Sequence, residues 1–530
     1  MKFKTFLVNL MLRVKESVSR FSMAFACSVL AFCTMSYGII FEVDNSDIIY
    51  QLCMAFAMGG IISIFLKLLV EYFEKFKLKS LWQHILSGVL TVLTFFLVRI
   101  YYESVYMAMA YAGILVALLC FIFFVIMRGE NKDMCFPKIV SSMIFTSATC
   151  GILSAGLSIC IAAVQSLIYN GSSIYKVYMI VNLFVWVVVY VNLFLSFVPG
   201  KGEEITGSKI FRAFVLFVGL PIYTLLIFIL LIYLAKIVVT WHMPVGEINW
   251  FASFASLFFI FFLLSVLQYE EKAAKLFAKF GGYFLIPVLI MQGIAVFERI
   301  NAYGLTTPRT VSLVLILISA MFIGASLIAP KHINKIVLAS GVIVLIVTLS
   351  PFNVIDMPIA SQTKILKSVL TENKMLVDGK VVPNKNISEA DARRITGAYE
   401  YLKYDAKKLP DFIPNTNDSV EVIFGIKDTS NTHIYCNFET KDDVDISAYN
   451  RMIKLKCYGE FIEFEHKGKS YSINPNDIAN KLYKKYGEEA LDIELYKIND
   501  DVALYIKWFS CEIIDNEAAD SDVTGYILLK

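Results

Sequence analysis

Eleven long apolar stretches recur along the first two thirds of the chain, at roughly 21–41, 50–70, 81–101, 105–127, 140–168, 177–199, 211–240, 250–268, 282–297, 308–329 and 335–351. A helix needs about 20 mainly apolar residues to cross a bilayer, and these runs approach or exceed that length. Barrel strands are half as long and alternate in polarity, so the runs are expected to be helices, which satisfy their own backbone polar groups in hydrocarbon. Only 18% of the 530 residues are charged and 57% are hydrophobic, against about a quarter charged in soluble domains. The expected fold is an α-helical polytopic membrane bundle of about 11 transmembrane helices followed by a soluble, strand-rich α+β C-terminal domain.

The loops orient the bundle, because cytoplasmic loops retain Lys and Arg. Basic residues precede the first stretch (Lys2, Lys4, Arg13, Lys15, Arg20) and then follow every second one, from Lys67 and Lys75 through Arg128 and Lys132 to Lys331 and Lys335. This alternation collects 20 of the 25 Lys and Arg of residues 1–350 on one side. The expected topology has a cytoplasmic N-terminus and an extracytoplasmic C-terminal domain in a multi-pass protein of the cell membrane.

Three regions follow: a cytoplasmic interfacial helix over 1–20, the transmembrane domain over 21–351 and the α+β domain over 352–530. In the first, Phe3, Phe6, Leu7, Leu10, Val14 and Val18 recur at helical spacing. Within the bundle, small residues at Gly59-Gly60 and at Gly151, Ala155 and Gly156 predict close helix contacts, and Gly219-Leu220-Pro221 predicts a kink. In the last region, 357–376 and 388–403 read as helices. Residues 420–428, 433–439 and 452–474 read as strands, 477–487 as a helix, and 491–514 as a hairpin about Asn499-Asp500-Asp501.

Residues 1–350 carry 25 Lys/Arg against 15 Asp/Glu, and 351–530 carry 23 against 30, so no basic nucleic-acid surface is indicated. The ten cysteines contain no CxxC, and the five histidines are isolated, so neither a metal centre nor a cofactor motif is expected. The GKGEEITGSK stretch at 200–209 has its Ser and Lys in the wrong order for a phosphate-binding loop. No catalytic nucleophile and base can be paired by spacing.

Charge inside or beside a span is the stronger signal, since an ionised group in hydrocarbon costs several kcal/mol unless paired or hydrated. Five basic residues break the orientation rule: Arg99, Lys176, Lys236, Arg299 and Arg309. Two of them lie within FERINAYGLTTPRT at 297–310. Tyr303-Gly304 supplies a turn there, and Thr307-Pro308 supplies a helix start with a hydroxyl cap and Pro at the first helical position. Arginine in such a hairpin can clamp a phosphate or carboxylate bidentately. The candidate ligand-binding residues are Arg99, Lys236, Glu298, Arg299, Tyr303 and Arg309.

The pattern Arg299-Ile-x-x-Tyr303-Gly304-Leu305-Thr306-x-x-Arg309, with Ser361-Gln362 and LTENKMLVDGKVVP at 370–383, resembles the bacterial multi-pass proteins known as domain of unknown function 4153. The resemblance implies an envelope membrane protein with no settled activity. The expected function is binding or sensing of an anionic envelope component at the outer face, with membrane lipid, an anionic lipid or an envelope glycan as partner. Two other classes stay open. A polyprenyl-phosphate-dependent glycosyltransferase would draw its carboxylate base or metal ligand from Glu42, Asp44 and Asp47 in the first outer loop. A transporter would carry a lipid or apolar substrate, because few ionisable groups lie near the membrane midplane.

Overall fold

A computed structural model describes the chain except residues 1, 44–46, 74–78, 103, 129–131, 168–173, 204, 206, 241–246, 415–419, 427–432, 442–443, 459–460, 487–488 and 515–516. It divides into two compact units, residues 1–365 with 401–408, and residues 366–400 with 409–530.

In the first unit, α1 (Lys2–Arg20) precedes α2 (Ser22–Phe41), α3 (Asp47–Tyr72), α4 (Ser80–Tyr101), α5 (Val105–Ile126) and α6 (Lys132–Leu167). The next crossing is α7 (Ile174–Leu183) and α8 (Tyr190–Leu195) joined by a π-helical turn at Phe184–Val189. The one after is α9 (Lys209–Phe214) and α10 (Leu220–Thr240) joined by another at Val215–Gly219. Then come α11 (Glu247–Val266), α12 (Lys272–Tyr303), α13 (Thr307–Ile328), α14 (Ile333–Leu349) and α15 (Asp356–Glu372), whose last residues enter the second unit. Eleven helical segments among the described residues are long and apolar enough to span a bilayer. The protein is a multi-pass membrane protein.

The expected small-residue contacts divide. A Cβ on Gly59 would lie 2.0 Å from Thr91 Oγ1, and one on Gly113 would lie 2.4 Å from Thr348 Oγ1, so α3 meets α4 and α5 meets α14 at glycine. Gly151 and Gly156 meet nothing within 4 Å, so the close contact expected there is not made among the described residues. The kink expected at Gly219-Leu220-Pro221 takes the form of the wide turn at Val215–Gly219. Pro221 has no N–H for the carbonyl four residues back and its ring crowds that oxygen, and a wider turn relieves both. Gly219 also lets Phe262 in, since a Cβ there would stand 2.5 Å from its ring.

Helix α12 has 32 residues, far more than its expected 16-residue apolar core over 282–297. At about 1.5 Å per residue it is about 48 Å long, against a hydrocarbon core of about 30 Å. It therefore carries Lys272, Lys275 and Lys279 toward one end and Glu298 and Arg299 toward the other, on either side of its apolar middle.

In the second unit, Asp378 and Gly379 adopt φ 49° and 73°, a two-residue hairpin turn between β1 (Leu376–Val377) and β2 (Lys380–Val381). Helices α16 (Glu389–Glu400) and α17 (Val420–Phe424) follow. The strands are β3 (His433–Thr440), β4 (Arg451–Tyr458), β5 (Ile462–His466), β6 (Lys469–Ile473), β7 (Glu489–Ile493), β8 (Tyr496–Lys497), β9 (Val502–Ile514) and β10 (Glu517–Leu529), with α18 (Pro475–Tyr486) between β6 and β7. The main sheet has the order β4-β10-β9-β3-β7, with β8 also on β9. Helix α18 packs on it through Ile478, Ala479 and Leu482.

Two strand expectations are corrected. Residues 420–424 form a helical turn rather than a strand, while 427–428 lie outside the described residues. The 491–514 hairpin is reduced to β8 against Ala503-Leu504, because β7 pairs in parallel with β3 instead.

Candidate functional site

The turn between α12 and α13 is closed from several parts of the first unit. Gly304 has φ 76° and ψ 179°, a region open essentially only to glycine. A Cβ there would also stand 2.3 Å from Ile365 Cδ1 and 2.9 Å from Gln362 Nε2. That close approach lets Gln362 Nε2 donate to the carbonyls of Tyr303 at 2.9 Å and Leu305 at 2.8 Å. Ser361 Oγ accepts from the Leu305 N–H at 3.0 Å. The Ser-Gln pair of α15 thus satisfies the backbone that the turn leaves open.

Helix α13 begins at Thr307, with Thr306 in the capping position and no side-chain cap bond. The expected hydroxyl cap at Thr307 is not made, because Thr307 lies inside the helix as its first residue; its hydroxyl instead donates to the Val354 carbonyl at 2.9 Å. Its single proton being spent there, the phenol of Tyr401 at 2.7 Å donates to Thr307 Oγ1. Two residues further into α13, Arg309 Nη1 donates to the Gly304 carbonyl and braces the end of α12.

Asp356 opens α15 at the same end. Tyr106 Oη donates to its Oδ1 at 2.5 Å and Asn353 Nδ2 to its Oδ2 at 2.7 Å. Asn353 Oδ1 in turn accepts the N–H groups of Ile355 and Asp356 at the start of the helix. The Tyr106 hydrogen bond, then that of Asn353 and the charge of Lys408, hold the Asp356 carboxyl below its usual range against the opposing effect of burial. A carboxylate in the first turn also complements the helix dipole.

The arginines differ in how they are used. Arg309 is half-buried and has given one of its five N–H groups to Gly304. Arg299 is half-buried on α12, near enough for its charge to act on Arg309, and no hydrogen bond or ion pair is described for it. Glu298 and Tyr303 are exposed on the same turn. Lys236 is exposed near the end of α10, which packs on α12 through Ile237 and Met291. Arg99 is exposed on α4, whose described packing is on α3 and α5. Four of the six candidates therefore share one turn, Lys236 stands on an adjoining helix, and Arg99 belongs to a different helix group.

Elsewhere at this end, Glu42 forms a 2.7 Å ion pair with Lys176 and accepts from Tyr175 at 3.0 Å. Asp47 opens α3, and Asp44 and Glu103 lie outside the described residues.

Sequence reasoning missed Tyr106, Asn353, Asp356 and Tyr401. It also missed a polar seam in the bundle, where Gln292 Nε2 donates to Asn249 Oδ1 at 3.0 Å and Ser253 Oγ at 2.9 Å, and Asn249 Nδ2 donates to Ser312 Oγ at 3.0 Å. The amide of Gln292 within an apolar run was the available signal.

The family described as a domain of unknown function (DUF4153) matches residues 24–382. The chain belongs to that family. Its matched region takes in α3 to α14, the α12–α13 turn and the whole of α15. No curated protein and no solved structure matches.

Proposed function

We propose that this DUF4153 protein binds an anionic envelope component, a phosphate or carboxylate on a lipid or glycan, between Arg299 and Arg309. In this reading the α12–α13 turn faces out of the cell and the second unit is exported, as the placement of 20 of the 25 basic residues of 1–350 supports. The observation that carries the site is the half-buried Arg299, near enough for its charge to act on Arg309, with no described acid in contact with either. Two like charges at the end of a span repel in a medium of reduced dielectric, and an anion between them removes that cost. Arg309 is held in place by Gly304, so its remaining donors are oriented before a ligand arrives. Exposed Tyr303 and, on the adjoining helix, Lys236 extend the polar surface around the pair.

Native mass spectrometry of the purified protein tests the proposal. The wild type is expected to retain an anionic lipid or glycan that Arg299→Gln and Arg309→Gln release. Equal retention by all three proteins, or none by the wild type, contradicts it.

A further inference from the structure

Two cysteines of the second unit face each other across the centre of its sheet. In the antiparallel pairing of β3 with β9, Cys436 stands directly opposite Cys511. Directly opposed residues put their side chains on the same face with Cα atoms about 4.5 or 5.5 Å apart, according to the pair type. Either spacing lies within the about 4.4–6.8 Å that a disulfide spans. Both side chains are buried in the same core, beside the Phe438–Phe509 pair two residues further along, and the two thiols are in hydrogen-bond contact. Cys457 lies on β4 opposite Val523, so the register offers it no cysteine across the ladder.

We infer that Cys436 and Cys511 are a redox modification site that closes to a cross-strand disulfide when the second unit is exported. In the step, each thiol gives up its proton and one S–S bond forms. The two electrons and two protons reduce the disulfide of an exported dithiol–disulfide oxidoreductase to its dithiol. The exchange passes through a mixed disulfide and needs access to sulfur. The folded pair is buried, and burial pushes the Cys511 thiol up to about 12, which suppresses the thiolate that such exchange requires. Oxidation therefore belongs to the emerging chain, before the sheet closes, and the finished bond is shielded from reductants. It ties together strands whose cysteines are 75 positions apart, 436 to 511.

This inference rests on the export proposed above, and one experiment on the full-length protein separates the two. Wall-stripped cells are treated with a membrane-impermeant amine-reactive ester, which reports the side of the exposed Lys469. They are then denatured in acid, alkylated with one maleimide, reduced, and alkylated with a second maleimide of different mass before peptide mass spectrometry. The expected result is ester on Lys469, the second maleimide on Cys436 and Cys511 in equal share, and the first on Cys457. Ester on Lys469 with the first maleimide on all three cysteines overturns the disulfide and leaves export standing. An unmodified Lys469 with the first maleimide on all three overturns both.

Discussion

Arg20 and the Arg299–Arg309 pair, at two different places in the bundle, are treated in opposite ways. Arg20, at the end of α1, donates from Nε and Nη2 to Glu71, from Nη1 to the Val198 carbonyl at 2.6 Å and from Nη2 to the Pro199 carbonyl at 3.0 Å. Its guanidinium also lies 4.7 Å over the Phe21 ring. Four of its five donors are spent inside the protein, so it is a fastener. Arg299 and Arg309 have one described internal bond between them, to Gly304. A charge brought into a folded protein needs a counterpart, and the first site contains its own while the second has room for one from outside.

Substitutions can break this contrast. Arg20→Gln leaves Glu71 half-withdrawn from water without its main partner, and should cost about 3 kcal/mol, the low end for such a loss because both side chains keep 22% exposure. Gly304→Ala forces a glycine-only backbone and a collision with Ile365, for about 2–3 kcal/mol. Gln362→Ala strips the Tyr303 and Leu305 carbonyls of their donor, for about 2 kcal/mol. Thermal unfolding in detergent at fixed lipid content measures all three. Arg299→Gln should change stability by less than about 0.5 kcal/mol in the absence of an anion. A loss as large as that of Arg20→Gln would make Arg299 a fastener too.

The contrast sharpens with pH. The Asp356 carboxyl is depressed in the folded protein, so its contribution is present above the unfolded value of about 3.9 and is lost as pH falls through the folded value. Tyr106→Phe removes the largest cause of that depression. It should cost about 1 kcal/mol near neutral pH, a low figure because the carboxyl is only partly withdrawn from water. The difference from wild type should close as pH falls below about 4. A difference that persists unchanged in acid would assign the loss to packing rather than to the charged hydrogen bond.

How much of this was legible follows from how local each signal is. The spans were legible because apolar runs and basic loops are contiguous in sequence, although the length of α12 was hidden by charges that ride on helix outside the apolar layer. Arg299, Tyr303 and Arg309 were legible because their charge and the Tyr-Gly turn lie within eleven residues. The joint that holds the turn was not. Tyr106 meets Asp356 across 250 positions and Thr307 meets Tyr401 across 94, and no periodicity encodes such meetings. Strand β10 was passed over because it opens with Glu-Ala-Ala-Asp-Ser-Asp, yet it sits between β4 and β9 in the sheet. Residues 420–424 misled because Val-Glu-Val-Ile-Phe alternates like a strand but is too short for its pattern to choose a partner.

The most direct measurement is an electron cryo-microscopy structure of the full chain in nanodiscs containing an anionic phospholipid. Density of phosphate size is expected within hydrogen-bond reach of both the Arg299 and the Arg309 guanidinium, with Arg309 still on the Gly304 carbonyl. Arg299 turned onto Glu298, with only solvent between the two guanidinium groups, would contradict it.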